Sequence, residues 1–158
     1  MIVVSNTTPI IALSSIKKIE LLRELYQNIY IPEEVYNEIK SKKRYGFSEI
    51  DSDFFIVKRV QGLRYVNFLL NDVDRGEAEA ITLAIELNAD LVLIDERIGY
   101  KVALSQKLAC FGTLGILSIA KRRGLILKIK PLVEELQTNG LWYSEKLLNN
   151  FLICEGEI

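Results

Sequence analysis

Four polar residues stand at the end of an apolar stretch or toward one end of a helical pattern. They are Asn6 in "VVSNTTPI", Glu38 in "IPEEVYNEIK", Glu77 in "DRGEAEAI" and Asp95 in "LVLIDER". Three are carboxylates, one is an amide, and the chain contains no histidine. That absence removes Ser-His-Asp and Cys-His nucleophilic chemistry together with an imidazole base. The two cysteines, Cys110 and Cys154, lie too far apart in sequence to suggest a zinc site. What remains is carboxylate chemistry, and clustered carboxylates suit hard, oxygen-liganded cations such as Mg²⁺ or Mn²⁺.

Each residue also has a plainer reading. Asp95 could cap the helix after it. Asp74-x-x-Glu77 matches a capping box, which would fold Glu77 back onto the helix start. At about 100° per residue, however, Glu77 shares a face with Ala80, Ile81 and Ala84. A carboxylate on that core side needs a partner or a cation. Glu79, Thr82 and Glu86 fall on the opposite side, so Glu79 reads as a solvated charge. Glu38 flanks the face marked by Val35 and Ile39, and it could simply pair with Lys42 at i,i+4. Glu34 lies one turn earlier on the same edge, so either Glu34 or Glu38 could be the acid. Asn6 could be an Asx-turn or a helix cap.

The elements that must position these residues follow from periodicity. Strands are expected at 2–5, 28–31, 55–60, 89–94 and 109–111, each short and apolar. Helices are expected over 10–25, 32–40, 74–87, 98–108, 116–123, 131–137 and 145–152, with Thr7 or Thr8 capping the first and Ser144 the last. Residues 41–53 read as a loop with irregular helix, and 63–70 fits either pattern. Apolar strands alternating with helices argue for an α/β fold: a parallel sheet covered on both faces. Ligands bind beyond the carboxyl ends of such strands, where Asn6 and Asp95 both fall.

Composition sets the outer limits. The 158 residues, nearly half of them hydrophobic, suit one domain with a real core. A net charge of −1 excludes a globally basic surface. Any nucleic-acid contact must therefore be local, and "KSKKRYGF" is the best candidate, with Lys40, Lys42, Lys43, Arg44, Tyr45 and Phe47. No apolar run is long enough to span a bilayer. Two distant cysteines, read as buried free thiols, and no signal-peptide pattern suggest a reducing cytoplasm.

Taken in order and spacing, "VVSNTTPIIAL", "IPEEVYNEI", "GEAEAITLA", "ADLVLIDER" and "FGTLGIL" resemble a PIN domain, and the resemblance covers about Ile2–Arg123. It implies a three-layer α/β/α fold with a mostly parallel central sheet and a helical extension at about 131–153. It also implies Mg²⁺ or Mn²⁺ held at Asn6, Glu38, Glu77 and Asp95, and hydrolysis of single-stranded RNA. Many PIN domains are toxins with an antitoxin protein as partner, and a homodimer is typical. Asn6 departs from the pattern, because PIN nucleases usually carry Asp at that position. A catalytically weak or inactive module that binds RNA or a protein is therefore the second expectation. A carboxylate phosphoacceptor is disfavoured, because no second Asp follows Asp95 at two residues.

Overall fold

A computed structural model describes residues 1–158. Five short strands form one sheet: β1 (Val3–Ser5), β2 (Ile29–Pro32), β3 (Phe55–Lys58), β4 (Leu91–Leu93) and β5 (Cys110–Phe111). Their order is β3-β2-β1-β4-β5, and every pairing is parallel. The winding direction reverses between β1 and β4, and in such sheets this switch point opens a crevice at the strands' carboxyl ends. Successive residues face opposite layers, as the pleat requires. Val3, Leu91 and Leu93 enter a 25-residue core on one face, while Val4, Val92 and Ile94 enter a 14-residue core on the other.

Nine helices cover the two faces. They are α1 (Thr7–Ser15), α2 (Glu20–Leu25), α3 (Glu33–Lys42), α4 (Leu63–Leu69), α5 (Arg75–Glu86), α6 (Arg97–Ser105), α7 (Thr113–Arg122), α8 (Lys130–Thr138) and α9 (Glu145–Cys154). The larger core lies under α1, α2, α3, α7, α8 and α9, and the smaller under α4, α5 and α6. The fold is thus three-layer α/β/α, as expected. No helix is long and apolar enough to cross a membrane.

Several local expectations change. The helix expected over 10–25 is two helices. Lys17 adopts φ 57°, and the amides of Lys17 and Lys18 donate to Ser14 O and Leu13 O. This is a Schellman stop built without its usual glycine. Pro32 closes β2 and stands as the N-cap of α3, and the ambiguous 63–70 segment is α4. Neither Thr7 nor Thr8 caps α1; Asn6 occupies that position, and its side chain makes no capping bond. Ser144 does cap α9, accepting from Leu147 N at 3.2 Å.

The solvated reading of Glu79 is also wrong. Glu79 is 7 % exposed and accepts from Arg75 Nε at 3.0 Å. The reason is tertiary: α3 and α4 both pack on α5, so Gly76–Ala84 is buried on every side. Of the cysteines, Cys110 is buried as expected, but Cys154 is exposed; both are free.

The C-terminal helices are part of the main core, to which Val133, Leu136, Leu148 and Leu152 belong. A carboxylate fastens their end. Glu157 accepts from the amides of Ile129 and Lys130 at the start of α8, and from Lys121 Nζ at 2.9 Å.

Candidate functional site

The helices that follow β1, β4 and β5 begin at one rim of the sheet, and polar side chains gather there. Asn6 leaves β1 with its amide donating to Leu93 O at 2.9 Å, which fixes its backbone against the neighbouring strand. The residue is 3 % exposed, and its Oδ1 is buried with no hydrogen-bond partner. An unpartnered buried carbonyl oxygen costs about 1–3 kcal/mol, which a ligand bound at this point would offset.

Gly76, in the first turn of α5, shows what surrounds that oxygen. A Cβ there would lie 3.2 Å from Glu38 Oε2, 3.3 Å from Asn6 Oδ1 and 3.6 Å from Asp74 Oδ1. Three oxygens from three elements thus face one small space, left open because this residue has no side chain. Glu38 is steadied by Thr7, whose hydroxyl donates to its Oε2 at 2.8 Å. The expected Glu38–Lys42 pair is loose at 3.9 Å. Glu34 points elsewhere, 4.0 Å from Arg75 Nε. Of the two acids left open by sequence, Glu38 is the one beside Asn6.

Glu77 is 5 % exposed. Its amide donates to Asp74 Oδ1 at 2.8 Å, so one leg of the capping box exists. Its carboxyl runs under α6, where a Cβ on Gly99 would collide with Glu77 Oε2. Burial, then the proximity of Asp74, Glu96 and Glu38, push the Glu77 carboxyl up to about 8. A group so perturbed beside other acids at a crevice is a recognised mark of a functional site.

Asp95 does not cap α6; Glu96 takes that position. Asp95 instead turns to the start of α7. Thr113 N donates to its Oδ1 at 2.6 Å, and the Thr113 hydroxyl to its Oδ2 at 2.6 Å. Burial raises the Asp95 carboxyl above its usual range, opposed by the two Thr113 bonds. Glu96 adds negative charge near both Asp95 and Glu77. Tyr143, from the segment before α9, also reaches this corner. Burial and then the Asp95 charge raise its phenol well above the ordinary value.

The structure therefore brings Asn6 and Glu38 together and sets Glu77 among Glu38, Asp74 and Glu96. Asp95 is held at the end of the adjacent strand. No three Asp, Glu, Cys or His side chains form a metal-holding group by themselves. The tight convergence includes the Asn6 amide oxygen, and that donor set of carboxylates plus one neutral oxygen still fits a hard cation. Sequence reasoning missed Gly76, Gly99, Glu96, Thr113 and Tyr143, and it saw Asp74 only as a cap. The one available signal was a glycine close to the acids, Gly76 in "RGEAEA" and Gly99 shortly after them in "DERIGYK".

Thr113 is fully buried, and its hydroxyl bond to Asp95 is charge-assisted. Thr113→Val keeps the shape and loses that bond. Stability in urea is expected to fall by about 1.5–3 kcal/mol, with Thr113→Ser recovering most of it. Equal stability of the Val and Ser variants would show that the hydroxyl does not orient Asp95.

Over residues 2–157 the chain matches a family model described as a PIN domain, which runs past the 2–123 stretch that carries the resemblance in sequence. No curated protein and no solved structure matches the chain.

Proposed function

The chain belongs to the PIN-domain family, and from that premise we propose that it is a divalent-metal-dependent endonuclease acting on single-stranded RNA. Mg²⁺ or Mn²⁺ would be held by Asn6, Glu38, Glu77 and Asp95. PIN domains are generally nucleases, which supports the reaction class. The observation that carries the reading is the buried, partnerless Asn6 Oδ1 facing Glu38 Oε2 across the space at Gly76. A homodimer and an antitoxin partner enter only as implications of the family.

When bound, such a cation supplies charge neutralisation at the phosphate and lowers the pKa of water. The chain's own residues do the rest. Thr7 holds Glu38 in one orientation, and Thr113 holds both oxygens of Asp95. Glu77, its carboxyl pushed up to about 8 by burial and the acids around it, would be one of the groups holding the cation and would have to give up its proton to do so. With no histidine in the chain, proton transfer falls to these carboxyls and to water. Lys42 and Arg44, beside Glu38, would hold the backbone of the strand.

The test is a fluorogenic single-stranded RNA with purified protein. Cleavage is expected with Mn²⁺ or Mg²⁺ and none in EDTA, with Mn²⁺ also raising the melting temperature. No cleavage by either wild type or Asn6→Asp, at saturating Mn²⁺, would sink the nuclease reading. Asn6 itself favours a second reading, a PIN fold that binds RNA or a protein without cutting. On that reading, Glu77→Gln leaves binding unchanged.

A further inference from the structure

Beside Glu38, a hollow of about 330 Å³ opens between α1, the end of α3 and the turn after α8. That volume falls within the roughly 300–1,000 Å³ of small-ligand pockets. Its apolar floor is Ile11, Ile39 and Leu141, and Lys42, Arg44 and Tyr45 wall one side. Thr7 and Glu38 line it too, so the hollow shares the Glu38 carboxylate with the oxygens around Gly76.

The basic segment divides into two parts. Lys40 bonds Asp51 at 2.6 Å and Phe47 O at 2.9 Å, and it lies 3.6 Å from the Phe47 ring centroid. Lys40 and Phe47 are therefore structural. Arg44 has no carboxylate within ion-pair distance, and its guanidinium lies 5.4 Å from the Tyr45 ring centroid. Lys43 ends α3 at φ 47°, which takes Arg44 and Tyr45 off the helix and onto the pocket wall. The opposite wall is pinned across the fold, where Asn139 Nδ2 donates to Ser15 O at 3.0 Å. An apolar floor, an aromatic ring, the unpaired Arg44 and the loosely paired Lys42 at the edge of an acid cluster form a complementary set. They match an unpaired nucleotide, with a base to stack and a phosphate to hold.

We propose that this hollow is the subsite for one unpaired nucleotide of an RNA strand, flanking the scissile phosphate, with its base against Tyr45 and its phosphate toward Arg44 and Lys42. The word "scissile" rests on the nuclease reading; the binding itself does not.

The test separates the two. Fluorescence anisotropy with a labelled single-stranded RNA, in EDTA, reads binding without cleavage. Tyr45→Ala is expected to weaken binding about ten-fold, while Tyr45→Phe stays near wild type. Arg44→Ala should reduce the slope of log affinity against log salt by about one. Arg122→Ala, on an exposed stretch away from the hollow, should change neither. Duplex RNA should compete poorly, since its bases are not free. Wild-type affinity in Tyr45→Ala, or equal competition by duplex, overturns the subsite even if Mn²⁺-dependent cleavage is seen. The expected binding pattern without cleavage upholds the subsite and removes the nuclease reading. No binding of single-stranded RNA by the wild type overturns the subsite outright.

Discussion

Glu77→Gln makes the metal-free protein more stable at pH 7.5 and removes its stabilisation by Mn²⁺. The Glu77 carboxyl is pushed up to about 8 by burial and by Asp74, Glu96 and Glu38. In the unfolded chain it titrates near the ordinary value of about 4.3. Between those two values the native state holds a proton that the unfolded state has lost. Stability therefore falls as pH rises through this window, by at most about 1.4 kcal/mol per unit. Glutamine carries no charge to desolvate, and its NH₂ can donate to the oxygens around it. By pH 8 the variant should exceed wild type by on the order of 3 kcal/mol, or roughly 6–12 °C in melting temperature. Near pH 4.5 the two should be close. Melting curves in EDTA from pH 4.5 to 8.5 read this directly. A flat wild-type profile would mean that Glu77 is not an uncompensated buried acid. A Mn²⁺ shift that survives in Glu77→Gln would remove Glu77 from the metal site.

The second large effect has the opposite sign. Asn6→Asp places a charge where Oδ1 now lacks a partner, facing Glu38 Oε2 across Gly76. Two unit charges about 4 Å apart interact by about 4 kcal/mol at an effective dielectric near 20. With no cation, that term repels, and the variant should lose about 2–4 kcal/mol of stability at pH 7 in EDTA. With a divalent cation it attracts, and part of the gain goes to desolvating the new carboxylate. Mn²⁺ affinity, measured by calorimetry, should rise on the order of 100-fold. Cleavage should rise with it at limiting Mn²⁺. Unchanged Mn²⁺ affinity would show that Asn6 does not face the ion.

The alternation of strand and helix was legible because each strand is apolar on both faces, as Val3–Val4 and Leu91–Ile94 are. The strand order was not, since local periodicity says nothing about which strands pair. The positions of Asn6 and Asp95 could be read because both end central strands. Their environments could not. The partner of Asp95 is Thr113, 18 residues on, at the start of a different helix. Glu79 misled because a helical wheel assumes one buried face, and α5 is buried on every side from Gly76 to Ala84. The break at Lys17 was hidden because a lysine holds the left-handed position that glycine usually marks. The choice between Glu34 and Glu38 turned on Arg75, which reaches Glu34 from α5.

The placement of Asn139–Leu141 and Tyr143 has a consequence for how such a protein can diversify. These residues come from the far end of the chain, yet they border the hollow at Glu38 and the corner at Asp95. The oxygens gathered at the rim are supplied before residue 96, while one wall of the hollow arrives after residue 138. Substitutions in the late segment can therefore reshape that wall without touching the acids, whereas a fragment ending at Gly124 would lose the wall together with the core residues Val133, Leu136, Leu148 and Leu152.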